Sequence, residues 1–246
     1  MYIITLFMEE ILQLKSGIKY KIFSKFDLVS NILRLRGEFD PWNNQIASLV
    51  LSEGKKGNVV DIGAHIGTFS IPLAKVYSNI NFITFEVQRK VFEVLSDNVK
   101  LNKINNIKTY NIGLSDETKE ITLSVPDYDL ENNIGAFSLS VDVRINNYEV
   151  KTIGKTESFD LVPLDSFNIK DILLIKLDVE GYELNVLKGA TNTIRNNSYP
   201  PIIFECWNWK FQEKKQEVFN FLQDLGYSIK TMYGGNDHFA EYVTSK

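Results

Sequence analysis

The stretch NVVDIGAHIGTFSIPLAKVYSNINFITFE, residues 58–86, limits the possible folds more than any other part of the chain. An apolar run ends in an acid, two glycines stand four apart, a helical pattern follows, and a second apolar run ends in another acid. Strand, tight turn, helix and strand in that order make a βαβ unit, because neighbouring parallel strands need a helical crossover. The short apolar runs IKTYNIG, ILLIKLD and PPIIFEC repeat the rhythm. Between them lie core stripes at helical spacing, such as Val91, Leu95 and Val99, or Leu184, Leu187 and Ile194. Buried strands alternating with helices predict an α/β fold, a mostly parallel sheet with helices on both faces. The terminal GYSIKTMY, GGND and HFAEYV predict a hairpin whose last strand runs antiparallel to the rest.

Two regions depart from this rhythm. Residues 1–54 read as an N-terminal cap: an amphipathic helix near 5–14, a strand pair near 18–27, and a helix opened by Pro41 with Ile46, Leu49 and Val50 on one face. Residues 117–162 read as a β-insertion after the third strand, with KEITLSV and SLSVDVRI alternating at period two around the turn-rich DYDLENNIGAF. The α/β domain then spans 55–246, with no internal repeat.

Composition narrows the function classes. At 246 residues the chain suits one large domain, and 24% charged residues with a net charge of −4 argue against a broad nucleic-acid surface. Cys206 is the only cysteine, which excludes an intrachain disulfide and a Cys-rich zinc site and fits a reducing, cytoplasmic compartment. MYIITLFMEEIL lacks a basic start and meets Glu9 and Glu10 after eight residues, so it makes a poor signal peptide, and no apolar run elsewhere is long enough to span a membrane.

The glycine turn must hold something. A nucleotide-triphosphate loop needs a Lys after its last glycine, and none follows Gly67; a dinucleotide fingerprint needs G-x-G-x-x-G, whereas Gly63 and Gly67 are separated by AHI. Asp61 stands two residues before Gly63, where it would repel a pyrophosphate. S-adenosylmethionine carries a sulfonium and an ammonium but no phosphate, so the same acid favours it. Gly63, Gly67 and Thr68 leave room for a ligand close to the backbone. Glu86, with Val87 behind it, ends the second strand where an acid can accept hydrogen bonds from ribose hydroxyls. His65 can serve through its amide alone, its ring packed on the next helix, or through its ring.

LLIKLDVEGYELNVLKGA, 173–190, supplies the second constellation. Lys176 and Asp178, two apart, share a face at the carboxyl end of a strand, and Glu180 follows in the turn, so all three are candidates for the catalytic crevice. Glu183 reads more simply as an acid in the first turn of a helix. Glu205 and His238 are further strand-end candidates, and Trp42, Tyr128, Trp207, Trp209 and Tyr233 are aromatics that could border the crevice. Two histidines in the chain rule out a His-rich metal site but leave an oxygen-ligand magnesium site open.

The chain resembles the FkbM-type S-adenosylmethionine-dependent methyltransferases. The matching pieces are VVDIGAHIGTFS, Glu86 in FITFE, NIGLSDE, Asn133, Gly135 and Ser138, LDSF, IKLDVEGYELNVLKGA and IIFE. It departs from the family at Val87, commonly proline, and at His65, often asparagine. The resemblance implies a Rossmann-like class I methyltransferase with a seven-stranded sheet, and adenine lying against Gly113, Leu114, Ser115 and Asp116. It also implies O-methylation of a hydroxyl on a sugar, glycan or natural product. A hydroxyl of high pKa needs a base or a metal as it attacks, and Asp178 or Glu180 is placed to be that base or its orienter. Asp178 could instead hold the cofactor's ammonium or a divalent ion. Ribose methylation of nucleic acid, faintly echoed by Lys176, Asp178 and Glu180, and a non-catalytic scaffold are the competing classes.

Overall fold

The computed structural model describes residues 10–23, 27–52, 54–128, 133–146, 150, 152–206, 212–232 and 234–243. The chain opens with strands β1 (Glu10–Gln13) and β2 (Lys19–Ile22), an antiparallel pair, then α1 (Leu28–Arg36) and α2 (Pro41–Val50). The helix expected over 5–14 is therefore a strand in its described part, and the hairpin starts upstream of the expected 18–27. Tertiary contacts override the local pattern here. Asn98 and Asn102 reach across to the backbone of Lys21 and Lys19 and occupy the open edge of β2. In α2 the inward face is Asn43 and Ala47, while Leu49 is 85% exposed.

The alternating core follows: β3 (Gly57–Ile62), α3 (Ser70–Val76), β4 (Ile80–Phe85), α4 (Arg89–Leu101) and β5 (Ile107–Tyr110). After it come β6 (Gly113–Leu114), β7 (Lys119–Pro126), α5 (Val141–Asn146) and β8 (Thr152–Val162). The chain then returns through β9 (Ile172–Leu177), α6 (Glu183–Gly189), α7 (Thr191–Asn196), β10 (Ile202–Glu205), α8 (Gln212–Asp224), β11 (Tyr227–Thr231) and β12 (Asp237–Tyr242).

Seven strands form one sheet in the order β11-β12-β10-β9-β3-β4-β5, parallel throughout the β10 to β5 part, with β12 antiparallel to both its neighbours. Strand order turns back between β3 and β9, the crevice where open α/β sheets bind ligands. Both faces are covered, as near-continuous apolar strands require. Val59, Phe82, Leu174 and Ile203 pack with Ala47 and Leu73 on one face; Val60, Ile175, Ile202 and Phe204 pack with Val186, Ile194 and Leu222 on the other.

The insertion is a second, three-stranded sheet, β6-β8-β7. KEITLSV is β7 as expected, but SLSVDVRI does not pair with it. Leu139 and Val143, four apart, are buried while Val141 is 60% exposed, so the run follows helical spacing and starts α5; the partner of β7 is β8.

Asn98, fully buried, holds the hairpin and the glycine turn together. Its Oδ1 accepts from the Lys21 N–H at 2.6 Å, and its Nδ2 donates to the Lys21 carbonyl at 3.1 Å and the Ile66 carbonyl at 3.0 Å. Asn98→Ala is expected to cost about 1–3 kcal/mol, because groups buried with it lose their partners; urea unfolding followed by circular dichroism measures the loss. Among the described residues, no helix is long and apolar enough to cross a membrane.

Candidate active site

A cavity of about 250 Å³ opens at the carboxyl ends of β3, β4 and β9. It is lined by Gly63, His65, Thr68, Glu86, Val87, Gly113, Leu114, Lys176, Asp178 and Glu180, ten of the residues singled out from sequence, brought together from four loops. The β3–α3 turn forms its floor. Gly63 has φ 77°, and a Cβ there would fall on the Asp178 carbonyl oxygen, so only glycine lets β3 and β9 approach so closely. Gly67, at φ 91°, instead faces the packed side chains of Ile71 and Leu95 and gives close helix packing.

Four amides of this turn are already committed. The N–H groups of Gly63 and Ala64 both donate to the Phe85 carbonyl at 3.0 Å, that of His65 to Glu86 Oε2 at 3.0 Å, and that of Gly67 to the Ala64 carbonyl at 2.9 Å. A phosphate cradle needs free N–H groups pointing at the ligand. Beside this turn the cavity presents acids instead, Glu86 and Asp178.

Glu86 is 5% exposed and also accepts the Gln88 N–H on Oε1 at 2.9 Å. One amide per oxygen leaves lone pairs for a ligand's hydroxyls. Burial raises its carboxyl to about 7, against the pull of the two backbone amides. Asp61, fully buried, lies beneath the turn and does not line the cavity; Ser70 Oγ donates to its Oδ2 at 2.6 Å and Lys176 Nζ lies 3.8 Å from its Oδ1. Burial pushes Asp61 up, while Lys176 and then the Ser70 hydroxyl pull it back.

Register sets Lys176 directly beside Asp61 on the neighbouring strand. Its Nζ donates to Asp178 Oδ2 and to the Gly63 carbonyl, each at 3.1 Å. Burial disfavours its charge, but Asp178 and Asp61 outweigh that and hold it above its ordinary value. The pair thus ties the acid-bearing end of β9 to the glycine turn.

Other placements correct the expectations. Ser115 is buried outside the cavity, sharing a hydrogen bond of 3.1 Å with the Tyr182 hydroxyl, and Asp116 is exposed, bonded to Asn185 and 3.7 Å from Lys119 Nζ. The loop meets the cavity through Ile112, Gly113 and Leu114 instead. His65 uses its amide as described; its ring also lines the cavity, 6.4 Å from the Phe23 ring, and neither ring nitrogen has a hydrogen-bond partner. Burial lowers its pKa, which disfavours the charged ring. His238 is fully buried against Phe204 and Phe219, not solvent-facing. Trp42 is 54% exposed, Tyr128 stacks on Phe23 and donates to Gln88 Oε1, and Trp207, Trp209 and Tyr233 lie outside the described residues.

Sequence reasoning missed Asp40, Asn43 and Asp237, which line the cavity with Glu205. Asp40 sits at the start of α2 in the left-handed region, φ 45°, and Asp237 faces Glu205 across β10 and β12. The only signals were GEFDPW and GGND, each readable as a turn. Burial, then Asp178 and Asp237, raise Asp40 to about 6; burial, then Asp178, Asp237 and Asp40, raise Glu205 to about 9. Glu180 is raised well above its ordinary value by burial, then by Asp178 and Glu205.

Residues 61–229 match the model of the methyltransferase FkbM domain. The chain is similar to methyltransferase sdnD of Sordaria araneosa, 27% identical over 201 residues, covering 70% of this chain and 73% of that protein. It is also similar to the hexuronic acid methyltransferase AglP of Haloferax volcanii, 28% identical over 166 residues, 67% of this chain and 61% of that one. A solved O-methyltransferase of Thermotoga maritima aligns with a TM-score of 0.49 at 14% identity, covering 97% of this chain and 79% of that chain. With the match running from the end of β3 into β11, over a seven-stranded sheet of this order, the chain belongs to the FkbM family of S-adenosylmethionine-dependent methyltransferases.

Proposed function

We propose that the cavity binds S-adenosylmethionine and methylates a hydroxyl of a sugar, glycan or small natural product. The observation that carries the reading is the balance of groups at the turn: the amides of Gly63, Ala64, His65 and Gly67 are donated internally, and the cavity presents the carboxylates of Glu86 and Asp178 over a buried Asp61. A cationic ligand without phosphate suits that surface; a pyrophosphate does not. Glu86 would hold the ribose hydroxyls, Gly63 and Thr68 would border the methionine part, and Val87, Gly113 and Leu114 would flank the adenine. Bound there, S-adenosylmethionine supplies a methyl group on sulfur, with sulfur as the leaving group.

The protein's remaining tasks are to place the acceptor oxygen and to take its proton. Glu180 and Asp178 are the candidates for that proton, and Lys176 positions Asp178 by holding its Oδ2. Asp40, Asn43, Glu205 and Asp237 form the acceptor side of the cavity, polar and roomy enough for a hydroxylated ring. The similarity to the hexuronic acid methyltransferase AglP supports an acceptor of the sugar class.

Calorimetry with S-adenosylhomocysteine tests the cofactor assignment. Micromolar affinity is expected, weakened about tenfold or more, about 1.4 kcal/mol, in Glu86→Ala. Because the ionised carboxylate accepts more hydrogen bonds than the acid, affinity should also strengthen as pH rises through about 7. Equal affinity in the native protein and in Glu86→Ala would remove Glu86 from the site.

A further inference from the structure

We infer that Asp178, Glu180 and Glu205 form a binding site for one divalent cation of the magnesium, manganese and calcium class, on the acceptor side of the cavity. One carboxylate oxygen from each lies within 4.8 Å of the others. Two oxygens that far apart can both reach a single cation at bonds of about 2.3–2.6 Å, and modest side-chain rotation would bring them in for a smaller one. The donors are all hard oxygens, with no imidazole or thiolate among them, which selects this class over zinc or copper.

Proximity of acids alone would mean little, and two further observations point to a ligand. Asn43, 5% exposed, lines the same cavity; its Nδ2 donates to Asp237 Oδ1 at 3.2 Å, which leaves Oδ1 as the free end, and that oxygen has no hydrogen-bond partner. Asp237 stands opposite Glu205 in the sheet register, so this bare oxygen belongs to the same corner. Glu180 Oε2 is likewise enclosed and unpartnered. An enclosed carbonyl oxygen and an enclosed, ionised carboxylate oxygen both lack a donor or a cation, and in that state neither can supply one to the other. Lys176 does not fill the need, because its ammonium is shared among Asp178, Asp61 and the Gly63 carbonyl.

A cation here would sit beside the methyl-transfer site and ligate the acceptor oxygen, lowering its pKa before attack. That use rests on the methyltransferase reading, whereas binding of the ion does not. The acceptor class favoured is one that presents adjacent oxygens, such as a vicinal diol or a hydroxy acid, able to take two positions on the ion.

The test is equilibrium binding of Mn²⁺ alone to the chelator-treated full-length protein, read by electron paramagnetic resonance, with S-adenosylhomocysteine binding measured on the same samples. One saturable site is expected, weakened about tenfold or more in Glu205→Gln and again in Glu180→Gln. Each variant removes one of several crowded negative charges without changing shape, so thermal unfolding should show it folded. S-adenosylhomocysteine affinity should be unchanged in Glu205→Gln. No saturable Mn²⁺ binding up to about 1 mM, or native affinity in both variants, would overturn the cation site. If S-adenosylhomocysteine still binds in that case, the methyltransferase reading stands alone. If Mn²⁺ binds and S-adenosylhomocysteine does not, the cation site stands and the cofactor reading falls.

Discussion

Lys176→Met is expected to lower the unfolding free energy by about 3–5 kcal/mol, the cost of leaving a buried carboxylate without its counter-charge. Methionine is unbranched and only one atom shorter, so the loss reports mainly charge rather than a cavity. What it removes is specific. Lys176 is 7% exposed, and its ammonium bridges Asp178, the Gly63 carbonyl and Asp61, which is itself fully buried. Without it, Asp61 keeps only the Ser70 hydroxyl. Burial already raises the Asp61 carboxyl, and Lys176 is the largest influence opposing that rise. In the variant its folded pKa climbs further above the unfolded value of about 3.9. The sign follows: the penalty is absent below the unfolded pKa, grows as pH rises from there toward the folded one and is fully present above it, so the deficit should shrink on acidification. Urea unfolding at about pH 5 and about pH 8 measures this, and adding Asp61→Asn should restore part of the loss, a coupling of about 0.5–3 kcal/mol. Equal deficits at both pH values, with strictly additive mutations, would show that the ammonium does not hold Asp61.

The same residues show what a sequence can and cannot disclose. The sheet was legible because its strands are short, continuous and apolar between helical stripes, so periodicity alone separated them. The glycine turn and Glu86 were legible because each lies next to a strand end, where position in sequence nearly fixes position in space. Asp40, Asn43 and Asp237 were not. They reach the cavity from α2 and from the mouth of the terminal hairpin, far apart in the chain, and nothing in GEFDPW or GGND distinguishes a crevice wall from a turn. The helix expected over 5–14 was misjudged for a related reason: its described part, β1, is a strand because it pairs with β2, whose other edge is held by Asn98 and Asn102, about 80 residues away. Likewise SLSVDVRI satisfies period two and helical spacing equally well on paper, and burial of Leu139 and Val143 decides between them.

Glu180→Gln is expected to lower kcat by about 10²–10⁴-fold while leaving S-adenosylhomocysteine affinity within about twofold. The position argues for function rather than folding. Glu180 sits at φ 56°, in the left-handed region that a residue with a Cβ enters at a cost, and no helix cap or ion pair of its own accounts for it. The neighbouring Glu183 takes the structural part, accepting the Gly181 N–H at 2.9 Å at the start of α6. Glu180 instead turns toward Asp178 and Glu205, with Oε2 enclosed and bare. Glutamine preserves volume and one oxygen but can neither take a proton nor bind a cation as strongly, so the loss should fall on turnover. Asp178→Asn should lose turnover too, but with altered stability, because Asp178 also anchors Lys176. Single-turnover measurements with an acceptor found by screening sugars and hydroxy acids would separate chemistry from binding. Near-native kcat in Glu180→Gln would move proton removal to Asp178 or to the acceptor's own surroundings.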